Sequence, residues 1–180
     1  MRTQHIILAA LLAAGATACT TMASAPTVSA RMHLVGVDGQ GAELGVITVR
    51  NTRAGVALDV ALRGLPPGDH GMHVHAGGSC DSSVNDSGAV VVAGAAQGHY
   101  DPAQTARHGG PMGNGHMGDL PLLHVDARGD AHVSLVAPHI ASAENLRGHA
   151  IVIHAGGDNY SDTPAPLGGG GARIACGVIG

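Results

Sequence analysis

Residues 70–80 read HGMHVHAGGSC, three histidines running through two glycines into a cysteine. Imidazole nitrogens are metal ligands and proton carriers, so the spacing decides what the stretch can do. In an extended chain His73 and His75 lie two residues apart and share a face, while Val74 points the other way. Two imidazoles side by side are half a metal site. The sequence offers two ways to complete it. His99, His108 and His116 fall in a later glycine-rich region with Asp119 three residues beyond the last. Three nitrogens and a carboxylate suit a four-coordinate zinc with no open position, which gives a loop a fixed shape. His73, His75 and His154 offer nitrogen alone, which suits copper. The two sets can share a ligand, because a histidine between two cations binds both as imidazolate.

Elements must bring these groups together, and the composition says which. The chain has no Phe or Trp, two Tyr, 29 Gly and 9 Pro. Short β-branched runs between glycines and prolines favour strands joined by turns and loops, with a core of Val, Ile, Leu, Met and Ala. Strand, turn, strand, turn, strand is expected from Val28 to Leu65. Within it, Val56, Leu58, Val60 and Leu62 alternate with Ala57, Asp59, Ala61 and Arg63, as a strand with one buried face requires. A region of little periodicity follows from Cys80 to Leu120, and a loop of that length inside a domain is usually functional. A hairpin comes next, Leu122 to Val125 and His132 to Val136 around the Asp126–Gly129 turn. A strand from His149 to His154, a second loop from Ala155 to Gly171 and a strand from Arg173 to Ile179 complete the chain. Seven or eight strands and two long loops predict an all-β domain, a Greek-key eight-stranded barrel or sandwich of immunoglobulin-like plan.

The formal charge is −4, and all nine basic residues are arginine. Without a basic patch or stacking aromatics, nucleic acid is excluded as a partner. Residues 1–18 carry one charge, Arg2, and an apolar run from Ile6 to Ala14, the pattern of an export signal too short to anchor as a folded span. An exported chain can form disulfides, and Cys80 and Cys176 can pair inside the domain, leaving Cys19 over. Ala16-Thr17-Ala18-Cys19 resembles a lipoprotein processing site in which Cys19 becomes the lipidated first residue, with Ala where Leu is preferred. Cleavage after Ala18 by an ordinary signal peptidase is the alternative. The expected plan is a signal peptide over 1–18, a tether over 19–27 and one domain over 28–180. Membrane contact is then limited to a lipid on Cys19, in the periplasm or cell envelope.

HGMHVHAGGSC, GHYDP (98–102), HGGP (108–111), GHMGDLP (115–121), HAGGDNYSD (154–162) and GGGGARIACGVI (168–179) together resemble the bacterial copper/zinc superoxide dismutases, in order and over nearly everything after the tether. The resemblance implies copper on His73, His75, His99 and His154, zinc on His99, His108, His116 and Asp119, and His99 bridging the two. It implies that Asp158 orients one ligand of each metal and that Arg173 stands beside the open copper face, where a fixed guanidinium attracts a small anion. Cys80 and Cys176 match the family's disulfide, closing a loop of about 100 residues worth about 4 to 5 kcal/mol in the chain-entropy model. The implied reaction is disproportionation of superoxide to dioxygen and hydrogen peroxide, with His99 storing and delivering a proton.

Taken alone, each element has a plainer reading: Arg173 as a strand-edge charge, Asp158 as a turn residue, the glycine run as a linker. His5, His33, His70, His124, His132, His139 and His149 are read as structural or surface residues, His70 being the one that adjoins the site. Met72 stands where the family usually has Phe and Ala76 where Glu is common, which alters packing behind the copper strand. Lysine, which relatives often use to steer superoxide, is absent. The rival function is a non-enzymatic copper/zinc carrier or store on the same scaffold, which would not need Arg173, Asp158 and the disulfide together. A purely structural lipoprotein domain would bind no metal. The sequence does not choose between monomer and homodimer.

Overall fold

The computed structural model describes residues 27–180; the expectations for the export signal and for Cys19 lie outside them. Eleven strands are present among the described residues: β1 Thr27–Gly36, β2 Gly39–Thr52, β3 Gly55–Arg63, β4 Gly68–His70, β5 Met72–His75, β6 Ser83–Val84, β7 Val90–Val91, β8 Leu123–Val125, β9 Asp130–Ala137, β10 Ala150–His154 and β11 Arg173–Val178. All pairings are antiparallel. The main sheet runs β5-β10-β11-β1-β2-β3-β9, and β4 pairs with β8. β4 and β5 are one stretch interrupted at Gly71, so the series is eight-stranded, β8-β4/β5-β10-β11-β1-β2-β3-β9. The short turn in which the Asp126 amide donates to the Asp130 carbonyl (2.9 Å) joins its two ends. This is the Greek-key barrel that the strand pattern predicts. The hairpin of β6 and β7 was not expected; it lies inside the first long loop, where two-residue strands leave no periodicity to read.

The core is aliphatic. Met32, Ile47, Leu58, Leu62, Met72, Leu123, Ile151 and Ile153 are fully buried. In β3 Val56, Leu58, Val60 and Leu62 are buried and Ala61 and Arg63 exposed, as expected, but the alternation is incomplete because Ala57 is buried too and Asp59 is half-buried. β5 and β10 are buried on both faces. Met72, Val74, Ile151 and Ile153 face the main core, while Ala150 and Val152 face a second cluster around Cys80 and Cys176. A strand covered on both sides is where polar side chains can be held dry, and His73 and His75 occupy the outward face of β5. The Cys80–Cys176 disulfide, Cα atoms 5.8 Å apart, ties the loop after β5 to β11.

Candidate metal centre

The edge of β5 is completed by the first long loop. Val74 donates to the Gly118 carbonyl (2.8 Å) and accepts from the Tyr100 amide (2.8 Å), and Gly118 donates to Tyr100 (2.8 Å). Two segments far apart in the chain, 98–100 and 117–119, are therefore docked like short strands, with His75 opposite His99 and His73 opposite Asp119. Gly118 is required here, since a Cβ would run into the Val74 carbonyl oxygen. β10 lies on the other side of β5 and ends at His154.

Two groups of four donors result, His73, His75, His99 and His154 in one, and His99, His108, His116 and Asp119 in the other, besides a smaller set of His73, His108 and Asp158; within each, the candidate ligand atoms lie within 4.8 Å of one another. His99 belongs to both. Hydrogen bonds sort the nitrogens. His75 Nδ1 donates to the Gln97 carbonyl (2.8 Å) and His154 Nδ1 to the Gly171 carbonyl (3.1 Å), so their Nε2 atoms remain free and face each other at 3.4 Å. His73 donates from Nε2 to Asp158 Oδ2 (2.8 Å), which leaves its buried Nδ1 without a hydrogen-bond partner. A buried polar atom with no partner is costly unless something else takes its lone pair. On the other side, Nδ1 of His99, His108 and His116 all point at Asp119 Oδ1, at 3.0, 2.9 and 3.2 Å. One carboxylate oxygen has two lone pairs for three nitrogens. A cation among these four atoms satisfies them all, so both donor sets fit the metals that their chemistry suggests.

The electrostatics of the all-histidine set agree. Burial pushes the imidazoles of His73, His75 and His154 down to about 3, about 2 and about 4, and burial likewise lowers His99. These rings are neutral at physiological pH, as ligation requires. Burial opposes charge on His108 too, but its hydrogen bonds to Asp119 and Asp158 outweigh it and raise the group to about 9. Asp119 and Asp158 are held well below the usual carboxylate range; burial would raise them, and their histidine neighbours prevail. Asp158 spans the two sets, accepting from His73 at Oδ2 and from His108 at Oδ1 (2.8 Å each). Gly168, at φ +72°, fits against it where a Cβ would strike its carboxylate.

Arg173 sits at the mouth. Its guanidinium donates to the carbonyls of Ala93 and Gln97, both at 2.6 Å, and burial lowers its pKa. Both carbonyls belong to non-glycine residues at positive φ, Ala93 at 49° and Gln97 at 66°. Arg173, His75, His99 and His154 line a cavity of about 260 Å³, with Pro166 and Leu167 on its wall. A larger cavity of about 420 Å³ over β8 and β9 brings no donor set together.

Sequence reasoning placed His70 beside the site without a role and missed Asp162. His70 enters neither donor set; its buried ring spans the His154 carbonyl (2.7 Å) and the Pro66 carbonyl (2.8 Å), bracing the end of β10. Asp162 accepts from the amides of His108 (2.9 Å) and Leu167 (3.1 Å), fastening the second loop to the first. Its signal was present in the HAGGDNYSD segment, but a carboxylate bonded to backbone looks there like any turn residue.

The chain is similar to known proteins. The sequence profile described as copper/zinc superoxide dismutase (SODC) matches residues 44–179. The chain is 46% identical over 157 residues to superoxide dismutase [Cu-Zn] 2 of Salmonella typhimurium, covering 87% of this chain and 90% of that one. It is 45% identical over 159 residues to superoxide dismutase [Cu-Zn] of Escherichia coli, covering 88% and 91%. Among solved structures, the Cu/Zn superoxide dismutase from Brucella abortus superposes with a TM-score of 0.84 at 44% identity, covering 86% of this chain and all of that one.

Proposed function

The chain belongs to the copper/zinc superoxide dismutase family, and on that premise we propose that His73, His75, His99 and His154 hold its copper and that His99, His108, His116 and Asp119 hold its zinc. It is an enzyme whose substrate is superoxide, whose cofactors are copper and zinc, and whose reaction converts two superoxide anions and two protons to dioxygen and hydrogen peroxide. Held there, copper would supply one-electron redox chemistry, and zinc would supply charge without it.

The chain's own residues do the rest. Arg173, held by two carbonyls, presents a fixed cation at the cavity mouth and draws the anion toward His154 and His75. The guanidinium is pinned before substrate arrives, so little order is lost on binding. His99 faces Asp119 with Nδ1 and the other donor set with Nε2, where it can hold the proton delivered to product. Asp158 keeps the rings of His73 and His108 in one orientation through their Nε2 hydrogens. With no lysine in the chain, Arg173 is the cation that lines the cavity, and a shallow fall of the rate with added salt is expected. A steep fall would remove that part of the reading.

One observation carries the assignment: the single ring of His99 lies in both donor sets, with Asp119 Oδ1 3.0 Å from one of its nitrogens and the His73 ring stacked on it at 4.0 Å. The test is protein reconstituted with both metals and assayed for metal content and superoxide removal, beside His154→Ala. Equal activity in the two would sink the assignment. A carrier would hold metal without removing superoxide.

We also place the protein in the cell envelope, with residues 1–18 as an export signal, 19–27 as a tether, 28–180 as the catalytic domain and a lipid on Cys19. The Cys80–Cys176 disulfide supports an oxidising compartment. Mass spectrometry of the mature N-terminus decides between lipid on Cys19 and a free terminus.

A further inference from the structure

His139 follows β9 on the barrel side and belongs to neither donor set. Its Nδ1 lies 2.8 Å from the Pro111 carbonyl oxygen and its Nε2 lies 2.9 Å from the Met117 carbonyl oxygen. These two residues bound an excursion of the first loop, and Met117 is the neighbour of His116. Within the excursion Gly113 donates to the Gly110 carbonyl (3.2 Å) and His116 to the Arg107 carbonyl (3.0 Å), the Arg107 guanidinium donates to the backbone and side-chain oxygens of Asn114, and Met112 at its tip is 82% exposed. One ring anchored in the barrel therefore grips both ends of the segment that delivers His116.

A carbonyl oxygen only accepts hydrogen bonds, and a neutral imidazole carries one N–H. The neutral ring would serve one carbonyl and turn a lone pair toward the other; the doubly protonated ring serves both, by charge-assisted bonds roughly twice as strong as neutral ones. We propose that His139 is a positioning residue whose ring, set between the Pro111 and Met117 carbonyls, clamps residues 111–117 and so holds His116 in place for the zinc side of the centre. The proposal rests on the reading that His116 is a zinc ligand. It also explains how a glycine-rich loop keeps its shape where no strand ladder reaches it.

The experiment compares the full chain with His139→Arg, whose fork offers donors to two carbonyls and never loses its charge, and His139→Phe, which fills the space without donors. Zinc release to a chelator should be about 10-fold or more faster in His139→Phe, the loss typical of an outer partner of a metal ligand, and restored to within a few-fold by His139→Arg. Unchanged release in His139→Phe, or release from His139→Arg as fast as from His139→Phe, overturns the clamp. If His139→Phe does not fold, His139→Leu, which also lacks a donor, is read by the same criteria. Amide exchange at 111–117 in the metal-free protein separates the two readings: protection lost in His139→Phe and kept in His139→Arg supports the clamp even where Asp119→Asn leaves zinc content unchanged, a result that would remove the zinc assignment alone.

Discussion

Of the donors proposed for copper, His73 and His75 stand on β5 and His154 ends β10, two neighbouring strands with a fixed register; those proposed for zinc, His99, His108, His116 and Asp119, all lie in the loop between β7 and β8. Only 98–100 and 117–119 of that loop borrow a ladder, from the edge of β5. The first set is positioned by backbone hydrogen bonds that form with the barrel. The second is positioned by side chains converging on one carboxylate, and without an ion those side chains are over-subscribed. The copper half is thus built by the fold, and the zinc half is built largely by what it binds.

Metal removal breaks this comparison most sharply. An ion at about 1,000 times its dissociation constant stabilises the folded state by about 4 kcal/mol, so two ions together shift the melting temperature of a domain of this size by roughly 15 to 30 °C. Calorimetry of the loaded and metal-free chain should show that drop. Amide exchange in the metal-free chain should rise across 98–119 and stay slow in β1, β2 and β3. Uniform loss of protection through the barrel would deny the contrast.

The same contrast governs what was readable in the sequence. Alternation in β3 announced a strand because each side chain answers to one face, and the six separated motifs carried the donor residues. The docking of 98–100 and 117–119 on β5 was hidden, since it depends on amides and carbonyls that any residue has and on the missing Cβ of Gly118. β10 reads as an uninterrupted apolar run, and the second cluster around the disulfide that covers its far face comes from residues distant in the chain. His139 gave no signal at all: its partners are two carbonyls, and Pro-His-Ile is an ordinary turn sequence.

The disulfide couples the two regions, and its loss comes next in size. Cys80 and Cys176 lie 96 residues apart, which in the chain-entropy model corresponds to about 4 to 5 kcal/mol. The double Cys80→Ser, Cys176→Ser chain should melt roughly 10 to 15 °C lower. Because Cys80 opens the loop whose carbonyls hold Arg173, activity below the melting range should fall as well. A variant with lower stability but wild-type turnover would show that Ala93 and Gln97 are held without the bridge.

A smaller effect sharpens the point in the opposite direction. Gln97 has φ 66° and ψ −153°, a region that is essentially glycine's and costs a side chain of order 1 to 3 kcal/mol. Its carbonyl, not its side chain, receives both His75 and Arg173. Gln97→Gly keeps that carbonyl and relieves the conformation, offset by about 0.5 to 1 kcal/mol of added freedom in the unfolded chain. A net gain of about 1 kcal/mol and unchanged turnover are expected from urea titration and the superoxide assay. Lower stability would mean that the backbone at Gln97 is not strained.

The smallest effect lies on the barrel far from the site. Asp59 on β3 accepts from Arg50 on β2 at 2.7 Å, and this bond, with a second from Ser134, holds its carboxyl below the usual range. A carboxyl with a lowered folded-state pKa binds protons more readily when unfolded, so its stabilisation is present above the unfolded value and lost as pH falls through the folded one. Both side chains are well exposed, and solvent screens the pair. The urea midpoint of Asp59→Asn should therefore fall slightly below that of the wild type at neutral pH, by less than the shift expected for Gln97→Gly. The gap should close on the acid side of the carboxylate range. A gap that widened with acid would mean that Asp59 is stabilised in its protonated form, and a gap comparable to metal removal would contradict the assignment of the barrel's stability to its ladders and aliphatic core.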